Sequence, residues 1–176
     1  YIGSKEPKDV LLEGLKNLEY RGYDSAGIAL RNDSQVQIIR GLGRISCLEE
    51  KINNMDVIKA NMGIAHTRWA THGKPNEANA HPHKSGKVTL VHNGIIENFS
   101  ELKERLIKEG VKFNSDTDSE VMTALINYYY DGDPVLAIEK AIKEENHRIN
   151  KQKQTASNYL SSKQDDFDFS DEINAV

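Results

Sequence analysis

Met62-Gly63-Ile64-Ala65-His66-Thr67-Arg68-Trp69-Ala70-Thr71-His72-Gly73 and Val88-Thr89-Leu90-Val91-His92-Asn93-Gly94-Ile95-Ile96-Glu97-Asn98 repeat one pattern. Each opens on four apolar or small residues that read as a buried strand. Each then delivers a cluster of hydrogen-bonding groups at the strand end, where a rigid sheet aims side chains better than a free loop does. The two clusters are chemically matched. Arg68 offers a planar fork for a carboxylate. Asn93-Gly94 offers a side-chain amide and an unencumbered backbone N–H, the donors an oxyanion needs. Each also has a plainer reading. An Arg after a strand is usually a solvated or ion-paired surface residue. Asn-Gly is the strongest hairpin signal, but Ile95-Ile96 do not alternate and a helix cap follows within a few positions. A tight bend presenting donors therefore stands beside a plain hairpin.

Outward from these two strands, the chain reads as a mixed fold. Lys8 to Arg21 is predicted to be a helix, with Val10, Leu11, Leu15 and Leu18 at three- and four-residue steps. Ala26 to Leu30 is a short apolar strand. Arg31-Asn32-Asp33-Ser34 turns it into a hairpin with the run from Val36 to Arg40. A short helix follows over Ser46 to Ile52. The stretch from Lys74 to Lys87 is polar and holds Pro75 and Pro82, so it is expected to be loop. Asn98-Phe99-Ser100-Glu101 reads as a capping box for a helix through Lys108, closed by Gly110. Thr117-Asp118-Ser119-Glu120 reads as a second box, for a helix through Tyr130. Asp133-Pro134 opens a third, with Val135, Ile138, Ala141 and Ile142 on one face. Hairpins with segregated helices indicate α+β. The domain covers residues 1–143. From 144 to 176 the apolar periodicity is lost, and the acidic run after Asp165 argues for disorder. With few strands to close two sheets, Val91, Ile95 and Leu125 are expected to lack partners and the piece to be of low stability.

Several function classes are disfavoured. A net charge of −4 and a pI near 5.9 do not call for nucleic acid or an anionic membrane. No apolar run approaches a membrane span, and the first residues carry no secretory n- and h-region. The single cysteine, Cys47, excludes an internal disulfide framework and fits a cytoplasmic setting. Its neighbours Glu49 and Glu50 disfavour a thiolate, so it is not a candidate nucleophile.

Thr71 and His72 add a hydroxyl and an imidazole within one turn of Arg68, so three donors could converge on one small anion. Trp69 is the only Trp, and core packing is its strong alternative. Asp118 lies in the first turn of its helix, where the macrodipole alone favours a carboxylate by about 0.3–1 kcal/mol. A site for an amino acid would also need an anion for the α-ammonium, and Asp118 or a neighbour could serve. His66, His72, His81, His83 and His92 crowd one stretch, which raises a metal site. They lack the His-Glu-x-x-His spacing, and structural histidines are the better reading.

Leu18 to Gly27, Ala65 to Gly73, Asn79-Ala80-His81-Pro82-His83, Leu90 to Asn98 and Asp116 to Glu120 resemble the glutaminase domain of the glutamine–fructose-6-phosphate aminotransferase (isomerizing) family, a class II glutamine amidotransferase. The resemblance runs from Tyr1 to about Lys143. It implies an N-terminal-nucleophile hydrolase fold, a four-layer αββα sandwich that is incomplete here. It implies L-glutamine as substrate, no cofactor and no metal, and a homo-oligomer. Fructose 6-phosphate would be handled only by an isomerase portion beyond this sequence. Carried over residue by residue, Asn93 and Gly94 match the oxyanion hole. Arg68, Thr71 and His72 match the clamp on the substrate carboxylate, and Asp118, with Gly94, matches the partner of its ammonium. Trp69 matches a residue near the ammonia exit, and Arg21 and His81 match positions lining the site. The family's nucleophile is an N-terminal Cys in a Cys-Gly-Ile-Val-Gly segment that would precede Tyr1. The expectation is therefore a glutaminase domain that, as this chain stands, hydrolyses no glutamine and makes no amino sugar. The alternatives are a non-catalytic glutamine-binding or subunit-pairing remnant and a histidine-cluster metalloprotein.

Overall fold

Alternate residues of β1 (Ser25–Arg31) face two different layers, and this sets the architecture. Ala26, Ile28 and Leu30 pack with Leu12 and Leu15 of α1 (Pro7–Leu18) and with Ile45, Leu48 and Ile52 of α2 (Ile45–Asn53). Gly27, on the opposite face, meets the backbone of His81. The computed structural model describes residues 1–21, 24–69 and 74–145. In it, β1 is the centre of a three-stranded antiparallel sheet, ordered β2-β1-β3. β2 (Val36–Leu42) pairs Val36 with Arg31, and β3 (Met62–Arg68) pairs Arg68 with Ser25. The β1–β2 turn is fastened by Asn32, whose Oδ1 accepts from Ser34 N at 3.1 Å and Gln35 N at 3.0 Å. This hairpin, α2 and β3 lie where the sequence puts them, each extended by one to three residues.

Residues 83–85 depart from the expected loop. His83–Ser85 forms β4, paired antiparallel with β5 (Val88–Leu90) across Gly86-Lys87. Gly86 has φ +51, and Lys87 N donates to Asn127 Oδ1 at 3.0 Å, which ties the turn to α4 (Asp118–Tyr129). A three-residue polar strand has no periodicity to read; its partner and the helix beneath it create it. α3 (Phe99–Lys108), α4 and α5 (134–145) cover this hairpin through Leu102, Leu106, Val121, Leu125, Ala137 and Ala141. The layers therefore run helix, sheet, sheet, helix, the order the resemblance implies.

Several local expectations are corrected. Asn98 precedes α3 but makes no side-chain cap bond; its Nδ2 donates to Glu145 O at 3.4 Å. α5 buries Ala137 and Ala141, and its larger residues Val135, Ile138 and Ile142 are exposed, so its packed face is the one that admits close approach. Leu18 is exposed at the end of α1. Leu125 is fully buried, whereas Ile95 is exposed as expected. The second capping box holds in half: Thr117 Oγ1 accepts from Glu120 N at 3.3 Å, but the Glu120 carboxylate turns to Ser115 N at 2.7 Å. α5 runs two residues past Lys143, and the remainder of the polar tail lies outside the described residues. No described helix is long and apolar enough to cross a membrane.

Candidate active site

Arg68 ends β3 on the face that meets the second sheet. The register fixes this, because Ser25, Gly27, His66, Arg68 and Arg40 all share that face. The Arg68 side chain is buried, with Nη1 3.5 Å from Asp24 Oδ1. Asp24 is held in turn: its N donates to Arg68 O at 2.9 Å, and its Oδ1 accepts from Ser25 Oγ at 2.7 Å. A guanidinium in this position is a fixed cation at a strand end.

Beside it stands a column of imidazoles. The His66 and His81 rings lie 4.3 Å apart, and His81 and His83 are 4.7 Å apart edge to face. The segment that carries them is clamped from both sides. Arg40 Nε donates to Pro82 O at 3.0 Å, Asn79 Oδ1 accepts from Asp116 N at 2.9 Å, and His83 Nε2 meets Thr117 Oγ1 at 3.0 Å. His81-Pro82 is a cis peptide. Burial is the main reason that all three imidazoles titrate low. His81 is pushed down to about 2, with further repulsion from His66, His83, Arg68 and His92. His83 falls to about 4, with Arg40 as the next cause, and His66 is also lowered. The column is neutral near neutral pH. Among the described residues no group of three potential ligands is arranged for a metal ion, and these rings turn faces and edges toward one another.

The Asn93-Gly94 segment is not a hairpin. It is an irregular, exposed bend fastened to the N-terminus of α4 on both sides. Before it, His92 Nδ1 lies 3.2 Å from Ser119 Oγ; after it, Ile96 N donates to Asp118 Oδ2 at 2.9 Å. Asp118 Oδ1 accepts from Ser119 N at 2.8 Å. An ionised carboxylate has about four lone-pair positions, so these bonds and a longer one from Ser119 Oγ at 3.5 Å leave Asp118 capacity for one further donor. The His66 ring hydrogen-bonds the His92 backbone, which joins the bend to the column.

The described candidates fall in one region. Arg68 and Asp118 both act on the titration of His83, and Arg68 and His92 both act on that of His81. Trp69 follows Arg68 and is 67 % exposed, so core packing is not its role. Thr71, His72 and the Arg21 side chain lie outside the described residues. Sequence reasoning read His66 and His83 as structural histidines, which their stacking agrees with, but missed the bond that Ser119 makes to His92. The signal for the stack was present in Asn79-Ala80-His81-Pro82-His83, whose histidines alternate so that two could enter it.

A family model described as a glutamine amidotransferase domain matches residues 53–136. The glutamine–fructose-6-phosphate aminotransferase [isomerizing] of Clostridium tetani is 52 % identical over 146 residues, covering 82 % of this chain and 24 % of the relative. The chain therefore carries a glutamine amidotransferase domain. The enzyme of the same description from Pyrococcus horikoshii is 56 % identical over 128 residues, which is 72 % of this amidotransferase chain and 21 % of the relative. The chain thus spans about a quarter of the length of the relatives it matches. Among solved structures, a glutamine phosphoribosylpyrophosphate amidotransferase from B. subtilis, complexed with ADP and GMP, aligns with a TM-score of 0.68 at 25 % identity, covering 81 % of this chain and 31 % of that one. A structure titled as the allosteric regulatory enzyme of purine biosynthesis gives 0.69 at 26 % identity, with 81 % and 32 % covered.

Proposed function

We propose that this amidotransferase chain forms the glutamine-binding face of a glutaminase whose ammonia converts fructose 6-phosphate to glucosamine 6-phosphate. Arg68, with Thr71 and His72, grips the α-carboxylate of glutamine, and Asp118 with Gly94 takes the α-ammonium. The side-chain amide then lies before Asn93 and Gly94, whose N–H groups receive the oxyanion. Trp69 lies toward the ammonia exit, and Arg21 and His81 line the site. Holding both charges of a zwitterion fixes its reactive carbon without a cofactor.

The observation that carries this reading is the register at the N-terminus. Tyr1 and Gly63 exchange backbone hydrogen bonds of 2.8 and 3.0 Å, and Ile2 bridges Met62. Residues ahead of Tyr1 that kept this antiparallel register would run along β3 from Ile64 to Arg68. The fifth of them would lie directly opposite Arg68, on the same face and with Cβ atoms about 5 Å apart. In the family pattern that fifth residue is the nucleophilic Cys. Its α-amine would take the thiol proton, the thiolate would attack the amide carbon, ammonia would leave, and water would cleave the thioester to give glutamate.

The test is a chimera in which residues 1–145 replace the matching segment of the Clostridium tetani relative, which then supplies its own first residues and remaining length. Ammonia release from L-glutamine, coupled to glucosamine 6-phosphate formation, is expected. A folded chimera that releases none overturns the proposal; one that binds glutamine without releasing ammonia assigns the chain to a binding role.

A further inference from the structure

The Asn93-Gly94 bend has a chemistry of its own. It is the one Asn-Gly step in the sequence, and both residues are exposed and lie outside helix and strand. Glycine lacks the Cβ that would hinder its backbone nitrogen from folding back onto the preceding side chain. The His92 ring is packed against Gly94: a Cβ built on Gly94 would stand 2.8 Å from His92 Nε2. The other ring nitrogen, Nδ1, is occupied by Ser119 Oγ at 3.2 Å, so the imidazole is oriented and its Nε2 faces the bend. The neighbouring bond from Ile96 N to Asp118 keeps the segment close to α4.

We propose that Asn93-Gly94 is a site of spontaneous self-modification, in which His92 assists the Gly94 nitrogen in closing on the Asn93 side chain. The Gly94 N forms a bond to the Asn93 Cγ carbonyl and gives up its proton to His92. The Cγ–Nδ2 bond breaks, and the departing nitrogen collects that proton and leaves as ammonia. A five-membered succinimide remains. Water adds to either of its carbonyls and opens the ring to aspartate or isoaspartate. No oxidant, metal or second enzyme is required.

Two other described asparagines lack this combination. Asn114 is exposed, but the backbone nitrogen that would attack it, on Ser115, donates to Glu120 Oε2 at 2.7 Å. Asn79 is buried, with Oδ1 bonded to Asp116 N and Nδ2 to Lys74 O. If Asn93 is the oxyanion donor of the proposed glutaminase, the modification replaces an N–H donor with a carboxylate where negative charge must develop, and the chain becomes a clock of its own age. That consequence rests on the functional proposal, whereas the modification does not.

The experiment is incubation of the full chain at neutral pH, with peptide mapping by mass spectrometry and isoaspartate detection. The amide-to-acid mass change is expected first in the peptide holding Asn93, as a mixture of aspartate and isoaspartate. His92→Gln should slow it several-fold in a chain of unchanged circular dichroism. In urea, wild type and variant should converge, because the ring is no longer held at Gly94. Should His92→Gln not fold, Ser119→Ala frees the ring instead and should also slow the reaction. Modification of other asparagines while Asn93 stays intact overturns the proposal, as do equal rates for the folded wild type and both folded variants.

Discussion

Gly27→Ala tests whether the two sheets are locked together where the structure puts them. A Cβ at Gly27 would collide with the His81 carbonyl oxygen, stand 2.9 Å from Ile39 O and lie 3.2 Å from Arg40 Cγ. Two of these neighbours are backbone, so no rotamer change relieves the clash, and the 80–82 segment must move off the sheet. Overpacking of this kind costs about 1–3 kcal/mol. The displacement also strains the bond from Arg40 Nε to Pro82 O and the 4.3 Å contact of His66 with His81. A charge-assisted hydrogen bond is worth about 1.5–3 kcal/mol, so with the overpacking the loss is about 2.5–6 kcal/mol. For a chain of this size that is a fall in Tm of about 5–24 °C. Gly14→Ala is the internal control. It lies in α1 with nothing within 4 Å of its added Cβ, and should stabilise by about 0.5–1 kcal/mol through helix propensity alone. The two variants make the same chemical change and should move thermal and urea midpoints in opposite directions. A Gly27→Ala chain that melts with the wild type would refute the sheet-to-sheet contact and with it the position of the histidine column.

Further outcomes follow from the same contacts. Asp118→Asn removes the charge that accepts from Ile96 N and Ser119 N at a helix start; it should cost about 2–3 kcal/mol and speed amide exchange at Ile96 above that of the α4 interior. Acid should destabilise the fold in a definite window. His83 titrates near 4 when folded and at its ordinary 6.5 when unfolded, so the unfolded chain takes up a proton that the native chain refuses. Stability should fall as pH drops from 6.5 toward 4, by about 1.4 kcal/mol per pH unit at full slope for that histidine; His81 adds its own loss over the same range and continues it toward about 2. Urea midpoints against pH would show this, and His83→Gln should flatten the curve. Under the proposed clamps, calorimetry should give L-glutamine tighter binding than glutaminamide, which lacks the carboxylate, or 4-carbamoylbutanoate, which lacks the ammonium. Equal affinity for all three would remove Arg68 and Asp118 from substrate binding.

The sequence made the fold legible wherever local and tertiary preferences agree. Leu15 of α1, the apolar run of β1 and the Thr117 cap all point the same way at every level, whereas the helix face turns Leu12 rather than Leu18 into the core. It failed where the partner decides. His83-Lys84-Ser85 is a strand only because Leu90, Thr89 and Val88 lie across from it. α5 shows apolar residues at several faces, and the contact went to the smallest ones, Ala137 and Ala141, because they admit the closest approach. Trp69 reads as core by size, yet it follows a strand end that already buries Arg68. For the site, Arg68, Asn93 and Asp118 were visible as types of donor and acceptor. What holds them was not: His66 and His83 act through ring stacking and Ser119 through a side-chain bond, and neither leaves a spacing rule in the chain.

The neutrality of the histidine column matters most where the proposed ligand carries two opposite charges. Arg68 and Asp118 both act on His83, so a proton on that ring would add a charge within reach of the cation and the anion meant for the two ends of glutamine. One such charge in the site would oppose the substrate ammonium and weaken its binding. It would also compete with that ammonium for Asp118. Dispersing the same three imidazoles over the surface would leave them near their ordinary pKa and intermittently charged. Stacking them against one another between the two sheets keeps them neutral, because burial is the largest cause of each lowered value. Under this reading the column keeps stray protons out of a site that must distinguish one ammonium from one carboxylate, and the glycine at position 27 is what lets the second sheet come close enough to exclude the water that would charge it.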